Sequence, residues 1–382
     1  MPFYLDYHAH SPIDPRVLEK LIAAYHNFDA NPHSSHGHGS AAYNALERGR
    51  TQVADLIAAR PSEIVFTSGA TEANNLAFFG VVEHLKSRGK SRIAISSIEH
   101  ASISAAAQKL QSLGFEIDVL PVNKDGLIDL DSLEAVVTDA TGLVSIAAAN
   151  HEIGVVQPLA EISSILRRKD VLFHSDLAQM AGKLPAFASQ LDLASLSAHK
   201  LSGPSGIGAL YVRRLLKPKL RASIVGGGQE SGLRSGSVAV PLCVAFGYAC
   251  SIALAEMPDE AVRVARYRDH LLRSLGDIIG MEVNGTLEHR LPGNLNLRFE
   301  HVDGEALVFH IQDQLSISTG SACSAKTLEP SHVLLAIGLS RGQAECSVRI
   351  GIGRFTTEDE IENAATSIRC AVEELRSIRS RA

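Results

Sequence analysis

Cysteine is scarce and scattered in this chain, with five residues at positions 243, 250, 323, 346 and 370 and no CxxC pair among them. An odd number without that spacing indicates neither a disulfide framework nor a zinc ribbon. Long apolar runs are missing too, none approaching the length of a membrane span. The start, MPFYLDYHAH, lacks the basic and apolar regions of a signal peptide, so a cytoplasmic protein with no membrane partner is expected. Nor is positive charge in excess. The 36 Lys and Arg against 42 Asp and Glu leave a net charge of −6, which argues against direct binding of nucleic acid. Repeats and low-complexity linkers are absent.

What remains is a chain of 382 residues, too long for one small core and suited to one large domain plus a smaller one. Strand-like runs occur at Ile64–Phe66, Arg92–Ile95, Ile117–Leu120, Leu143–Ala147, Val171–His174, Leu193–Ser197 and Ala209–Val212, mostly separated by helical stretches. Apolar strands alternating with helices predict an α/β fold, with a mostly parallel seven-stranded sheet covered on both faces. The first helix is framed by Pro12 and Pro15, and Leu46, Val53, Leu56 and Ile57 mark the apolar face of another. The pattern changes after Met257-Pro258-Asp259. A long polar helix is expected there, then short strands at Asn294–Phe299, Ala306–His310 and Ser347–Ile352. A closing helix follows, with a Thr357/Glu360 capping box. This gives a large domain over 13–257 and a small α+β domain over 258–382, the latter joined by the N-terminal arm 1–12.

Lys200 sits where the apolar run Leu193–Leu196 breaks into Ser197-Ala198-His199-Lys200 and a turn with Gly203, Pro204 and Gly206. An ammonium just past a buried strand is costly to hide. Either it lies on the surface, or it loses its charge and serves as a nucleophile that forms a Schiff base with an aldehyde. Phe66-Thr67-Ser68-Gly69-Ala70-Thr71-Glu72 reads as strand, small-residue turn and helix start. Such a turn is a phosphate cradle, although a plain helix cap has the same appearance. Asp176 closes a buried strand. The loop 31–39 carries His33, His36 and His38, yet it has no cysteine or carboxylate to complete a metal site, so no metal is expected. Cys243, Cys250, Cys346 and Cys370 read as packing residues. Only Cys323 follows an unbroken run of small residues, Ser318-Thr319-Gly320-Ser321-Ala322.

Taken together, His174-Ser175-Asp176-Leu177-Ala178-Gln179, Ser197-Ala198-His199-Lys200 and Ser321-Ala322-Cys323 resemble the class V aminotransferase group of pyridoxal-phosphate enzymes. Within it, the resemblance is to the NifS/IscS-like cysteine desulfurases, and it runs from Tyr4-Leu5-Asp6 to Gly353-Arg354-Phe355-Thr356-Thr357. It implies the aspartate-aminotransferase-like (type I) fold with one antiparallel strand, pyridoxal 5'-phosphate as cofactor, and a homodimer. The implied reaction converts L-cysteine to L-alanine and leaves a persulfide on the enzyme for a sulfur-acceptor protein.

The resemblance also assigns residues. Lys200 carries the cofactor and becomes the base that moves the substrate's α-proton. Ala70, Thr71, Ser197 and His199 contact the phosphate, and Ser237 reaches that of the partner subunit. Asp176 pairs with the pyridine nitrogen, Gln179 donates to the phenolic oxygen, and His100 stacks on the ring and relays protons. His151 and Asn150 border the cofactor and substrate. Arg349 clamps the substrate carboxylate, with Arg354 as a structural alternative. The Cys323 thiolate attacks the substrate sulfur. The segment to Leu328-Glu329-Pro330 matches the subgroup with a longer loop, and the Asn31–Gly39 loop borders the site.

Six positions depart from the family pattern: His151 for asparagine, Ala198 for glycine, Ser237 for threonine, His10-Ser11 for a threonine pair, and Ser231 for arginine. Two alternatives stay open. One is another class V enzyme, such as a selenocysteine lyase or a plain aminotransferase. The other is a weakly active sulfur-relay or assembly scaffold. The acceptor itself (a cluster scaffold, or an enzyme that modifies tRNA or DNA) is not legible.

Overall fold

A computed structural model of the chain describes residues 2–320 and 329–379. In chain order its strands are β1 (Phe3–Tyr4), β2 (Ile64–Thr67), β3 (Arg92–Ser96), β4 (Glu116–Leu120), β5 (Thr141–Ser145) and β6 (Leu172–Asp176). The rest are β7 (Leu193–Ser197), β8 (Gly208–Val212), β9 (Met281–Val283), β10 (Asn294–Phe299), β11 (Leu315–Ser316) and β12 (Ser347–Gly351). Seven of them form one sheet in the order β2-β8-β7-β6-β5-β3-β4. β8 runs antiparallel to both its neighbours, and every other pairing in this sheet is parallel. All seven runs read from the sequence are strands of this sheet, and the one antiparallel member is the one the resemblance implied.

Side chains alternate across a strand, so each apolar strand feeds two cores. On one face Val65, Ile93, Leu143, Leu172 and Leu193 pack with Leu76 and Phe78 of helix Ala70–Gly80 and with Ile103 and Leu110 of helix Ala101–Gln111. On the other, Phe66, Ala94, Val144, Phe173 and Ala194 meet Leu46 and Val53 of helix Gly37–Leu56 and Ile162 of helix Leu159–Arg168. Burying one such Leu or Phe contributes about 1.5–3 kcal/mol, so the two-sided sheet is a large part of the driving force.

A third core holds Leu5, Tyr267, Leu271, Leu297, Phe299, Ile350, Ile361 and Ile368. Its frame is the antiparallel sheet β12-β10-β9, closed by helix Glu358–Arg379, whose first turn has the expected capping box. Thr357 N–H donates to Glu360 Oε2 at 2.9 Å, and Glu360 N–H donates to Thr357 Oγ1 at 3.3 Å. The N-terminal arm completes this region. β1 pairs in parallel with β11, and Leu5 is fully buried. The arm presses on Gly353, where a Cβ would lie 2.0 Å from the Tyr7 ring, so only glycine fits there.

Four expectations need correction. Ala306–His310 is not a strand but lies within helix Gly304–Ile311. Asp303 caps it by accepting from Ala306 N–H at 2.8 Å, and Leu307 and Ile311 bury at helical spacing. The change of pattern at Met257-Pro258 falls inside one helix, Val240–Leu275, which passes through Pro258. Its first half (Cys243, Phe246, Cys250) belongs to the large core and its second half (Val264, Leu271, Leu275) to the small one. By length and composition this helix could cross a membrane, contrary to the sequence reading, but those apolar residues are buried in the protein. Cys370 is exposed on the closing helix instead of packing, whereas Cys243 and Cys250 are fully buried.

Candidate active site

Asp176 is the last residue of β6 and Ser197 the last of β7, while His100 and Ala147 follow β3 and β5. Parallel strands bring these ends together at one edge of the sheet, where open α/β sheets hold ligands. A cavity of about 470 Å³ lies there, walled also by His8, Ala9 and His10 of the arm and by Arg349 of β12.

One end is built for an anion. Helix Ala70–Gly80 starts at the cavity, and the N–H groups of its first turn have no intrahelical partner. Gly208 makes this turn possible, because a Cβ there would lie 2.6 Å from Gly69 Cα. Thr71, Ser197 and His199 line the same wall. Ser197 Oγ meets His199 Nδ1 at 2.8 Å, and the His199 ring stacks on His10 at 5.2 Å between centroids. Burial, and then Lys200 and His10, push His199 down to about 4, so its imidazole is neutral near pH 7.

Asp176 is buried and held by two donors. Ala178 N–H donates to Oδ1 at 2.9 Å, and Asn74 Nδ2 donates to Oδ2 at 2.9 Å. Asn74 also donates to Ser102 Oγ at 2.9 Å, which lies 2.8 Å from His100 Nδ1. Ser102 N–H donates to the same ring nitrogen at 3.2 Å, so the proton of the neutral His100 ring resides on Nε2. Behind Asp176, His174 spans Ser145 Oγ (2.8 Å) and Ser195 Oγ (3.1 Å), and burial pushes it down to about 4. Glu99 is wholly buried and accepts from Ala147 N–H at 2.7 Å. Burial, with Asp176 adding to it, holds its carboxyl well above the usual range.

Lys200 ends the short 3-10 turn Ala198–Lys200 after β7. Its Nζ donates to the carbonyl oxygens of His8 and, at 2.7 Å, Ala9. Gln179 Nε2 donates to the same His8 oxygen at 3.0 Å, and Gln179 Oε1 lies 3.1 Å from His8 Nδ1. Lys183 Nζ donates to Gln179 O at 3.1 Å, and burial together with Lys200 pushes it down to about 7. Arg349 is buried. It donates from Nη2 to Asp6 Oδ1 at 2.8 Å and from Nη1 to His151 O at 3.1 Å, while its Nε has no partner among the described residues. Arg354 is committed to Glu260 and Asp14, in keeping with a structural role.

The cavity therefore gathers Ala70, Thr71, His100, His151, Asp176, Gln179, Ser197, His199, Lys200 and Arg349. His151 sits edge-on to His100, 5.5 Å between centroids, and burial and His100 keep it well below the ordinary histidine range. Asn150 is not brought in. Its Oδ1 accepts from Glu152 N–H and Ile153 N–H, its Nδ2 donates to Ile98 O, and these bonds hold the loop that carries His151. Ser237 is exposed outside this cavity, and none of His33, His36 and His38 lines it. His36 instead caps helix Gly37–Leu56 by accepting from Gly39 N–H. Cys323 lies outside the described residues. Sequence reasoning passed over Asn74, Glu99, Asp6 and His8. The only signals were an asparagine in an apolar helix turn, a carboxylate beside His100, and polar residues in an arm that reads as structural.

Residues 3–364 match the family described as Aminotransferase class-V. A curated relative, "Cysteine desulfurase IscS" of Proteus mirabilis (strain HI4320), is 47% identical over 383 residues, which covers 99% of this chain and 94% of that protein. A solved structure described as "NIFS-LIKE PROTEIN" superposes with a TM-score of 0.91 at 35% identity, covering 98% of this chain and all of the other. A second, "SspA in complex with cysteine", has a TM-score of 0.82 at 35% identity over 93% of this chain and 100% of that one. A match over nearly the whole length, on a sheet whose strand ends carry the matching residues, leaves one conclusion: the chain belongs to the class-V aminotransferase family, alongside the cysteine desulfurases.

Proposed function

We propose that the protein is a cysteine desulfurase that works with pyridoxal 5'-phosphate, taking sulfur from L-cysteine onto Cys323 and releasing L-alanine. The observation that carries this reading is the placing of Lys200, Asp176, Gln179, His100 and Arg349 around one cavity. The donor set suits the cofactor. Helix Ala70–Gly80 with Thr71, Ser197 and His199 would hold the phosphate, and Asp176, fixed by Ala178 and Asn74, would pair with the ring nitrogen. When bound, this group supplies an aldehyde and an electron-withdrawing ring that weakens bonds at the substrate's α-carbon.

The chain's own residues do the rest. Arg349 receives the substrate carboxylate with the guanidinium hydrogens that its bonds to Asp6 and the His151 carbonyl leave over. Lys200 Nζ holds and moves the α-proton from a place set by the His8 and Ala9 carbonyls. His100, with its ring proton on Nε2, donates that proton beside the substrate's sulfur. The Cys323 thiolate then attacks that sulfur, forming an S–S bond as the substrate C–S bond breaks. The bond's electron pair stays with the carbon, which takes up a proton to give L-alanine. Gly320, three positions before Cys323 in sequence, lines the cavity, which favours such an attack.

The same reading places a second copy of the chain against the loop 223–237. There Ile224 and Val225 are 44% and 83% exposed, and Ser237 is exposed and does not line the cavity of its own subunit. Borohydride reduction of the yellow protein should fix the cofactor on Lys200, and L-cysteine should yield one L-alanine per persulfide. A label on another lysine, or alanine without persulfide, would overturn the assignment. Sedimentation of the active enzyme as a monomer would remove the second copy.

A further inference from the structure

We infer that His8 is a positioning residue, which locks the side-chain amide of Gln179 so that its oxygen is spent within the protein and its nitrogen remains a donor. Two hydrogen bonds join these residues. The His8 carbonyl oxygen can only accept, and Gln179 Nε2 donates to it at 3.0 Å. That fixes which end of the amide is nitrogen, and so places Oε1 3.1 Å from His8 Nδ1. A carbonyl oxygen carries no hydrogen, so the hydrogen of this bond belongs to Nδ1. A neutral imidazole has only one, which leaves Nε2 as a bare acceptor.

An independent observation agrees. His8 is 2% exposed, and its Nε2 has no hydrogen-bond partner among the described residues. The surroundings keep the ring neutral: burial dominates, and the positive groups that face it are Lys183, Arg349 and Lys200. Lys183 Nζ also lies 3.5 Å from Gln179 Oε1, a second donor on the same oxygen. Turning the amide over would set its oxygen against the His8 carbonyl and its nitrogen against Nδ1–H. Moving the ring proton to Nε2 would set lone pair against lone pair. Each side chain therefore holds the other. One Gln179 amide hydrogen is unused in these bonds, and on the function proposed above it serves the phenolic oxygen of the bound cofactor.

The test has two parts on the full-length enzyme. In ¹⁵N spectra of its imidazoles, the ring lost in His8→Asn should be neutral and protonated on Nδ1 from about pH 6 to about pH 9. An Nε2-protonated or doubly protonated ring would overturn the inference. In the loaded enzyme, His8→Leu should shift the pH at which the visible absorption changes by about one unit, as should Gln179→Leu, and the double variant should shift it no further. His8→Asn, whose amide N–H stands near the position of Nδ1–H, should restore the parent value to within a few tenths. Additive shifts, or none in His8→Leu, would also overturn it. A chain that takes up no pyridoxal phosphate at all would sink the reading of the site instead, while the nitrogen spectrum still decides the tautomer.

Discussion

Asn74 donates to Oδ2 of Asp176 across 2.9 Å, from the second turn of a helix to the end of a strand. The same amide nitrogen donates to Ser102 Oγ, so one buried side chain connects the carboxylate at the floor of the cavity with the hydroxyl that meets His100. Asn74→Ala leaves one buried carboxylate oxygen without its donor. The expected cost is about 1–3 kcal/mol in stability, with pyridoxal phosphate held on the order of tenfold less tightly. Asn74→Asp should be worse for the cofactor, because it sets a second carboxylate against the first. Thermal melts and cofactor titration followed by absorbance will separate the two effects.

Glu99 offers a pH experiment with a definite sign. Its folded carboxyl titrates well above the unfolded value, mainly through burial. The folded state therefore keeps a proton that the unfolded state gives up above about pH 4.5, and this contribution to stability is lost as pH rises towards the folded value. Glu99→Gln has the same shape and nothing to ionise. It should melt close to the parent near pH 5 and gain on it as the pH rises. Glu99→Ala should lose about 1–3 kcal/mol near pH 5, since Ala147 N–H is left without its acceptor, and that deficit should narrow as the pH rises. A parent and Glu99→Gln that respond identically to pH would show that Glu99 is ionised.

Lys200 and Cys323 should fail differently when replaced. Cys323→Ser keeps the size but supplies a far poorer nucleophile towards sulfur. It should bind pyridoxal phosphate, change its absorption when L-cysteine is added, and form almost no alanine or persulfide. Lys200→Ala should lose the covalently held, yellow form. Alanine released by Cys323→Ser at the parent rate, without added thiol, would transfer the chain to the lyases.

Arg349 is held by Asp6 and by the His151 carbonyl, which leaves its planar fork aimed by two partners. Arg349→Lys keeps the charge but loses the fork, so KM for L-cysteine should rise roughly 10- to 100-fold with a smaller change in kcat. Asp6→Asn should raise KM less, because an amide oxygen still orients the guanidinium. Steady-state alanine formation measures both, and an unchanged KM in Arg349→Lys would place the carboxylate elsewhere.

The main sheet was legible because its strands are short, apolar and separated by helical periods, a local signal. The segment at Ala306–His310 was not, since four apolar residues in a run suit either structure and the deciding feature was the cap at Asp303. The Met257-Pro258 break lies where the helix passes from one core to the other, yet it ends no helix: a proline and a change of composition do not interrupt one when packing on both sides favours it. Lys200, Asp176 and Gln179 were found through motifs. Asn74 and His8 were not, because what makes them matter is a partner 102 or 171 positions away. Asn150 is expected at the substrate, but its amide binds its own loop and Ile98 O and does not line the cavity.

The N-terminal arm sets an order of assembly. Phe3 pairs with Leu315, and Leu5 closes a core built from Leu297, Ile350 and Ile368, all made far later in the chain. On the ribosome the arm must wait in water while the seven-stranded sheet forms behind it. The carbonyls of His8 and Ala9 that hold Lys200 travel with that arm. That stretch is tied down from both sides: Ser11 N–H donates to His199 O and Asp14 N–H to Ser202 O, while Gly351, made far later, exchanges bonds with Leu5 and Tyr7.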